Sequence, residues 1–378
     1  MAHYMPWYAS KKFSGQWGWH WTMNHFNPDK RATGEGAAAE TVPPQRASHF
    51  SPLIGLYDSG DPDALRCQVM QMKLAGIDGV IIDWYGNQDF NDYALLNRNT
   101  QRLIPFLQQA GLRFAICFED QSVAKKVAGG RFSATQAVAH GQNLMKWMEK
   151  NFFDNPAYLK LEARPVLLTF GEPFYQDAQW NAIFSVLPVK PLYFTEHVIR
   201  AQTAATGAFD WPVPKEGESG ALRQQNAFYE RVGEWPYFIA AAYPRFQDIY
   251  AEAGVHASWG SIADRDGRTY TDTLTRALDS NASIVQLVTW NDWGEGTQIE
   301  PSVEFGYRDL EATQRLRRLH LDAKFSATAR DLPVPAEWYR QRKKYAADPK
   351  ISRDLDAVFA LVISGRIDEA RARLAKTK

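Results

Sequence analysis

Short apolar runs alternate along this chain with amphipathic stretches of helical period, and that alternation restricts the fold more than any other feature. It predicts strands at His3–Tyr8, Gly79–Tyr85, Arg113–Glu119, Pro165–Phe170, Leu192–Glu196, Phe238–Tyr243 and Ser283–Trp290, with an eighth near Asp210–Val213. Between the second and third runs, Tyr93, Leu95, Leu96, Leu103, Ile104 and Phe106 fall at helical spacing, and Gly111 closes the helix. Asp61 and Pro62 supply an N-cap and a first-turn proline for a helix carrying Leu65, Val69, Met72 and Leu74, which Gly76 ends before the next strand. A strand with its return helix recurs at about 30 to 50 residues, the length of a right-handed crossover unit. Eight such units close an α/β barrel of the (β/α)8 TIM type, and 378 residues suffice for one with insertions. The alternative, an open doubly wound sheet, lacks a Gly-x-Gly-x-x-Gly turn after any early strand.

Two long connections, residues 9–52 and 197–237, interrupt the pattern and predict functional loops at the C-terminal rim of the barrel. From about Pro333 the sequence becomes charged and helical, so the expected division is a barrel over residues 1–330 and a short helical extension over 331–378. Leu355–Leu374 resembles one unit of a helical repeat, but one unit is no array, and a cap packed on the barrel is the simpler expectation. Lys plus Arg and Asp plus Glu both number 43, so no overall field selects nucleic acid or an anionic membrane, and a neutral partner is expected. Two cysteines, Cys67 and Cys117, cannot form a disulfide framework or a four-ligand zinc site. No apolar run reaches about 18 residues, so no membrane span is expected. Without a signal peptide before His3, the location stays open between cytoplasm and, if a leader is removed, periplasm or medium.

Polar residues stand at the carboxyl ends of the predicted strands: Asp83-Trp84-Tyr85, Glu119-Asp120-Gln121, Glu172, Glu196-His197, Tyr243 and Asn291-Asp292-Trp293-Gly294-Glu295. That rim is where (β/α)8 barrels assemble active sites. Singly, an acidic residue there equally serves as an N-cap or turn former, and for Asp83 a structural role is preferred. In the segment Val288–Pro301 a buried strand runs directly into two carboxylates three residues apart, flanked by aromatics and freed by two glycines. Glycosidic cleavage needs a proton donor to the leaving oxygen and a second carboxylate as base or nucleophile, and Asp292 and Glu295 are the natural pair. The plainer alternative has Asp292 capping the turn and Glu295 pairing with an arginine. Glu300 is a weaker candidate.

The segment Asn291–Pro301 resembles the Glu-Trp-His-Glu-Gly-Thr-Gln-Ile-Glu-Pro signature of glycoside hydrolase family 99, the endo-α-mannosidases and endo-α-mannanases. The opening Tyr4-Met-Pro-Trp-Tyr8, the run Gly76–Gly86 and Phe118–Ser122 are similar to the wider group of family 71 and 99-like proteins, so the resemblance covers roughly residues 3–320. It implies a retaining, endo-acting hydrolase in which Asp292 deprotonates the sugar 2-hydroxyl to give a 1,2-anhydro sugar and Glu295 acts on the glycosidic oxygen. Paired carboxylates alone do not distinguish this route from a direct nucleophile or an inverting water. Two departures mark a divergent member. Asp292 replaces the family's first glutamate, about 1.5 Å shorter in reach, and Gly294 replaces its histidine.

The expected substrate-binding set is Tyr4, Trp7, Trp19, His20, Trp84, Tyr85, Glu119, Tyr243, Trp293 and Glu300, with aromatic faces stacking on sugar rings. Trp17, Trp19 and Trp21 alternate and equally suit one face of a short strand or a small loop core. His20 and His25 have no carboxylate at a metal-binding spacing, so no metal is expected, and no cofactor. Absence of a Gly-x-Ser-x-Gly elbow argues against Ser-His-Asp hydrolysis. The sequence therefore predicts a monomeric glycoside hydrolase acting on an oligo- or polysaccharide that is mannan- or glucan-like. The competing expectations are a non-catalytic glycan-binding barrel and a protein associated with polysaccharide synthesis.

Overall fold

The computed structural model describes residues 1–30, 44–198 and 203–377. Eight parallel strands form a closed barrel: β1 (Ala2–Tyr4), β2 (Gly79–Trp84), β3 (Arg113–Phe118), β4 (Arg164–Thr169), β5 (Leu192–Glu196), β6 (Gly207–Phe209), β7 (Tyr237–Ala242) and β8 (Ile284–Leu287). Closure runs through Ala2, which pairs with Val80 of β2 on one side and Leu287 of β8 on the other. The eighth predicted strand, placed near Asp210–Val213, lies just upstream at Gly207–Phe209, because Pro212 and Pro214 cannot donate to a ladder.

Helices α1 (Pro62–Ala75), α2 (Tyr93–Gln109), α3 (Ala137–Met148), α4 (Asp177–Phe184), α5 (Gly217–Arg231), α6 (Arg268–Asp279) and α7 (Arg308–His320) cover the strands. The signals at the ends of α1 act as read: the Asp61 carboxylate accepts the Asp63 N–H at 3.0 Å, Pro62 opens the helix, and Gly76 leaves it at φ +80°. Of the alternatives for Trp17, Trp19 and Trp21, the strand face is not realised; Trp19–Thr22 is a short helix that buries Trp21.

Strand periodicity divides the apolar residues between two layers. Ile81, Ala115, Cys117, Val166, Leu168, Phe194, Phe209, Ile239 and Ile284 fill the barrel interior. Ala2, Tyr4, Val80, Ile82, Trp84, Phe114 and Ile116 point outward into the larger core beneath the helices. The wall is tight at β2 and β3: a Cβ on Gly79 would stand 2.0 Å from the Arg113 carbonyl oxygen, so only glycine fits.

After residue 333, α8 (Val334–Lys344) and α9 (Pro349–Ile363) pack against α1, and α10 (Ile367–Ala375) packs on α9. Arg342 and Lys343 pair with Asp63 and Asp61 at the start of α1, the Trp338 indole donates to the Leu355 carbonyl at 2.7 Å, and Phe359 meets Phe106 edge-on. Among the described residues no helix is long and apolar enough to cross a membrane.

Candidate active site

At the C-terminal ends of the strands lies a cavity of 360 Å³, lined from β1 and its loop by His3, Met5, Trp7, Tyr8, Trp19, His20 and Met23. Asp83 and Tyr85 of the β2 end, Glu119, Gln121 and Lys125 after β3, Phe170 after β4 and Trp211 after β6 continue the wall. The β7 loop adds Tyr250, Val255, His256 and Trp259, and the chain beyond β8 adds Asp292, Gly294 and Glu295. This size suits one or two sugar rings, at the lower end of the range of ligand pockets.

The β8 turn is held from both sides. Asn291 accepts the Met5 N–H at 2.8 Å and donates to the Met5 carbonyl at 2.9 Å, joining the ends of β8 and β1. The Tyr8 hydroxyl donates to the Asn291 carbonyl and accepts the Trp293 N–H at 3.0 Å. Within the turn, the Asp292 N–H donates to the Thr289 hydroxyl at 2.8 Å, and the Asp292 carboxylate accepts the Glu295 N–H at 3.0 Å. Backbone bonds from Gln247 to the Glu295 carbonyl and from Ile249 to the Gly294 carbonyl tie the turn to the β7 loop. At Gly294 an added Cβ would lie 3.1 Å from the Met23 methyl, so the space of a side chain there is shared between Met23 and the cavity.

Electrostatics separates the two carboxylates. Burial raises the Asp292 carboxyl to about 6, with backbone N–H groups of Glu295 and Gly294 opposing the rise. Burial also pushes Glu295 well above the ordinary glutamate range, and the neighbouring Asp292, Asp248 and Glu119 charges push the same way. Asp292 therefore ionises first and leaves Glu295 as the protonated partner. Glu295 is paired with no arginine among the described residues, whereas Asp292 does brace the turn as the plainer reading expected. Burial lifts Glu119 to about 7, opposed by its bond from Gln121 at 2.8 Å. Asp83 is also pushed well up by burial and by Glu119, and its Oδ1 is buried with no hydrogen-bond partner.

Of the ten expected binding residues, Trp7, Trp19, His20, Tyr85 and Glu119 line the cavity. Trp7 and His20 stack at 4.1 Å with 6° between planes, and His20 faces Asp92 at 3.5 Å. Five others lie elsewhere. Tyr4 is on the outward register of β1, with its hydroxyl on Gln68 of α1 at 2.7 Å. Trp84 is likewise outward, packed on Trp147, Phe118 and Phe152, because the strand period sends only Asp83 and Tyr85 inward. Tyr243 follows the last residue of β7 and lodges between α5 and α6 beside Gln225 and Arg276. Trp293 is buried behind the turn, with its indole on Glu300 at 3.2 Å. Glu300 is a strut, accepting also from Tyr57 and Gln68, each at 2.8 Å.

Several wall residues lie outside the set expected from the sequence. His3 and Met5 follow from the same inward register that excludes Tyr4, and Trp211 from the strand-like run at 210–213. Tyr250, His256 and Trp259 sit in an irregular loop, where no periodicity marks them. At the floor, His3, Asp83 and Cys117 bring three donor atoms within 4.8 Å of one another, the one set among the described residues placed to share an ion. Burial lowers His3 to about 4, so the ring is neutral, and it bonds Gln286 at 3.4 Å.

The fold and site define a (β/α)8 barrel with an aromatic, carboxylate-bearing cleft at its C-terminal face, and the comparisons with known proteins point to the glycoside hydrolases. The model of Glycosyl hydrolase family 99 matches residues 1–188. The glycoprotein endo-alpha-1,2-mannosidase of Mus musculus is 21% identical over 338 residues, covering 80% of this chain and 67% of that protein. A mouse glycoprotein endo-alpha-1,2-mannosidase-like protein is 25% identical over 329 residues, covering 80% and 69%. Among solved structures, the GH99 endo-alpha-mannosidase from Bacteroides thetaiotaomicron superposes with a TM-score of 0.62 at 19% identity, over 86% of this chain and 97% of that one. Over most of its length the chain is thus similar to family 99 proteins, at low identity.

Proposed function

We propose that this protein cleaves internal linkages of an α-linked, mannan- or glucan-like glycan with retention of configuration, using Asp292 as base and Glu295 as acid. The observation that carries the reading is the placement of the two carboxylates side by side in the cleft wall on the turn after β8, with the Glu295 N–H on the Asp292 carboxylate at 3.0 Å; burial raises both groups, and the Asp292, Asp248 and Glu119 charges push Glu295 up further, which suits it to the acid's role. The named activity of the mouse and Bacteroides relatives, endo-α-mannosidase, supports the substrate class.

In the first step Asp292 takes the proton of the sugar 2-hydroxyl, the 2-oxygen attacks C1, and Glu295 gives its proton to the departing oxygen, leaving a 1,2-anhydro sugar. In the second, Glu295 takes a proton from water as that water attacks C1, and Asp292 returns its proton to the 2-oxygen. Two inversions give net retention. Trp7 stacked on His20, together with Tyr85, offers ring faces and polar edges for the sugar beside the bond, and Glu119 offers an acceptor or donor for its hydroxyls. In this reading residues 1–330 form the catalytic barrel and the helices of 331–378 brace α1 and α2.

The test is digestion of α-mannans and α-glucans by the wild type and by Glu295→Gln, with product size and anomer followed by NMR. Oligosaccharides that first appear as the retained α-anomer, from the wild type alone, are expected. Equal product from both proteins, or the inverted anomer, would overturn the assignment.

A further inference from the structure

One large aromatic at the cleft mouth has no role in the reaction described above. Trp259 is 56% exposed although it lines the cavity, which is costly for an indole unless something covers it. Its position is nonetheless fixed. The Asp248 carboxylate accepts the backbone N–H of Trp259 at 2.8 Å and the Ser258 hydroxyl at 3.0 Å, and that hydroxyl in turn accepts the backbone N–H of Gly260 at 3.1 Å. On one side the indole rests on the His256 ring, 4.6 Å between centroids, and His256 rests on Tyr250 at 4.5 Å. With its backbone anchored by hydrogen bonds and its indole resting on a neighbouring ring, this exposed flat surface needs little further ordering to receive a partner.

Its place in the topology gives the partner. The strand order β1, β8, β7 sets the β8 turn, with Asp292 and Glu295, between the loop that carries Trp19 and the loop that carries Trp259. Trp19 is also exposed, at 39%. A chain lying across the β8 turn would thus meet an aromatic face from each flanking loop. We infer that Trp259 is the stacking platform of a distal subsite, taking the C–H face of a pyranose two or more units from the bond cut, on the side of the cleft opposite to Trp19. The inference rests on the proposed glycan hydrolysis and deepens it: binding on both sides of the reacting carboxylates is what an internal cut requires.

The test compares wild type, Trp259→Ala and Trp259→Phe in electrophoresis through gels containing yeast α-mannan or a soluble α-glucan, and in calorimetry with a disaccharide of the same polymer. Trp259 is exposed, so neither change threatens the core. Truncating one stacking aromatic is expected to weaken polymer binding roughly tenfold. That loss should exceed any loss for the disaccharide by most of the same factor, and Trp259→Phe should recover the greater part. Polymer binding by Trp259→Ala equal to wild type, or equal losses for polymer and disaccharide, would overturn the subsite while leaving the hydrolase reading in place. A wild type that neither binds nor cuts any of these glycans would overturn both.

Discussion

Replacing Glu300 by glutamine should make the protein more stable at neutral pH, by an amount that grows as the pH rises. The carboxylate is 3% exposed, and burial lifts it from 4.5 to about 7 in spite of hydrogen bonds from Gln68, Tyr57 and Trp293. A group raised in the folded state contributes fully below its unfolded value of 4.5, and that contribution is lost as pH climbs through about 7. At about 1.4 kcal/mol for each unit of difference, the loss comes to about 3 kcal/mol once both states are ionised. Glutamine never ionises. It can keep the Tyr57 and Trp293 bonds on its oxygen, and its amide can donate to Gln68 if that side chain turns over, with the Tyr4 hydroxyl then accepting. Urea unfolding of both proteins from about pH 4.5 to pH 8 measures the difference, with other titrations cancelling between them. Glu300→Gln is expected to gain on wild type by about 3 kcal/mol across that range. A difference that stays flat, or falls with pH, would refute the reasoning and show Glu300 ionised and content among its three donors.

Three further outcomes follow from the geometry. The pH dependence of kcat/KM should be bell-shaped, rising through about 6 as Asp292 ionises and falling at higher pH where Glu295 gives up its proton; a profile flat through about 6 contradicts the base assignment. Tyr8→Phe removes the hydroxyl that both donates to the Asn291 carbonyl and accepts the Trp293 N–H, so kcat should fall about tenfold with little change in KM, as expected when a turn that positions a base loosens by a fraction of an ångström. Gly79→Ala would set a methyl 2.0 Å from the Arg113 carbonyl and force β2 and β3 apart, costing about 3 kcal/mol or more in thermal or urea unfolding.

Most of the barrel was legible because its strands are buried on both faces and so read as unbroken apolar runs, and because α1 carries its own start and stop signals at Asp61, Pro62 and Gly76. The Asp292 and Glu295 turn was legible for a related reason: a buried strand that ends in carboxylates must present them at the rim. What misled was proximity along the chain. Tyr4 and Trp84 adjoin cleft residues in sequence, yet the two-residue period of a strand turns each to the opposite face from its neighbour. Glu300 and Trp293 belong to the same turn as the carboxylates but support it from behind, bonded to each other rather than to the cavity. Tyr250, His256 and Trp259 were invisible because their loop is fixed by the Asp248 carboxylate and by ring contacts, none of which leaves a period in the sequence.

Asp292 and Glu295 have different tasks in the proposed reaction, and leaving-group dependence separates them most directly. Asp292→Asn and Glu295→Gln would each be assayed on an oligosaccharide and on its α-linked dinitrophenyl glycoside, whose phenolate departs without a proton. In kcat/KM, which reads the step that expels the leaving group, Glu295→Gln should lose about a thousandfold on the oligosaccharide but keep most of its value on the activated glycoside, its kcat there falling because the second step still lacks its base, while Asp292→Asn should lose kcat/KM on both. Rescue of Asp292→Asn and not of Glu295→Gln would reverse the two roles, and undiminished turnover of the oligosaccharide by both would remove the pair from the chemistry altogether.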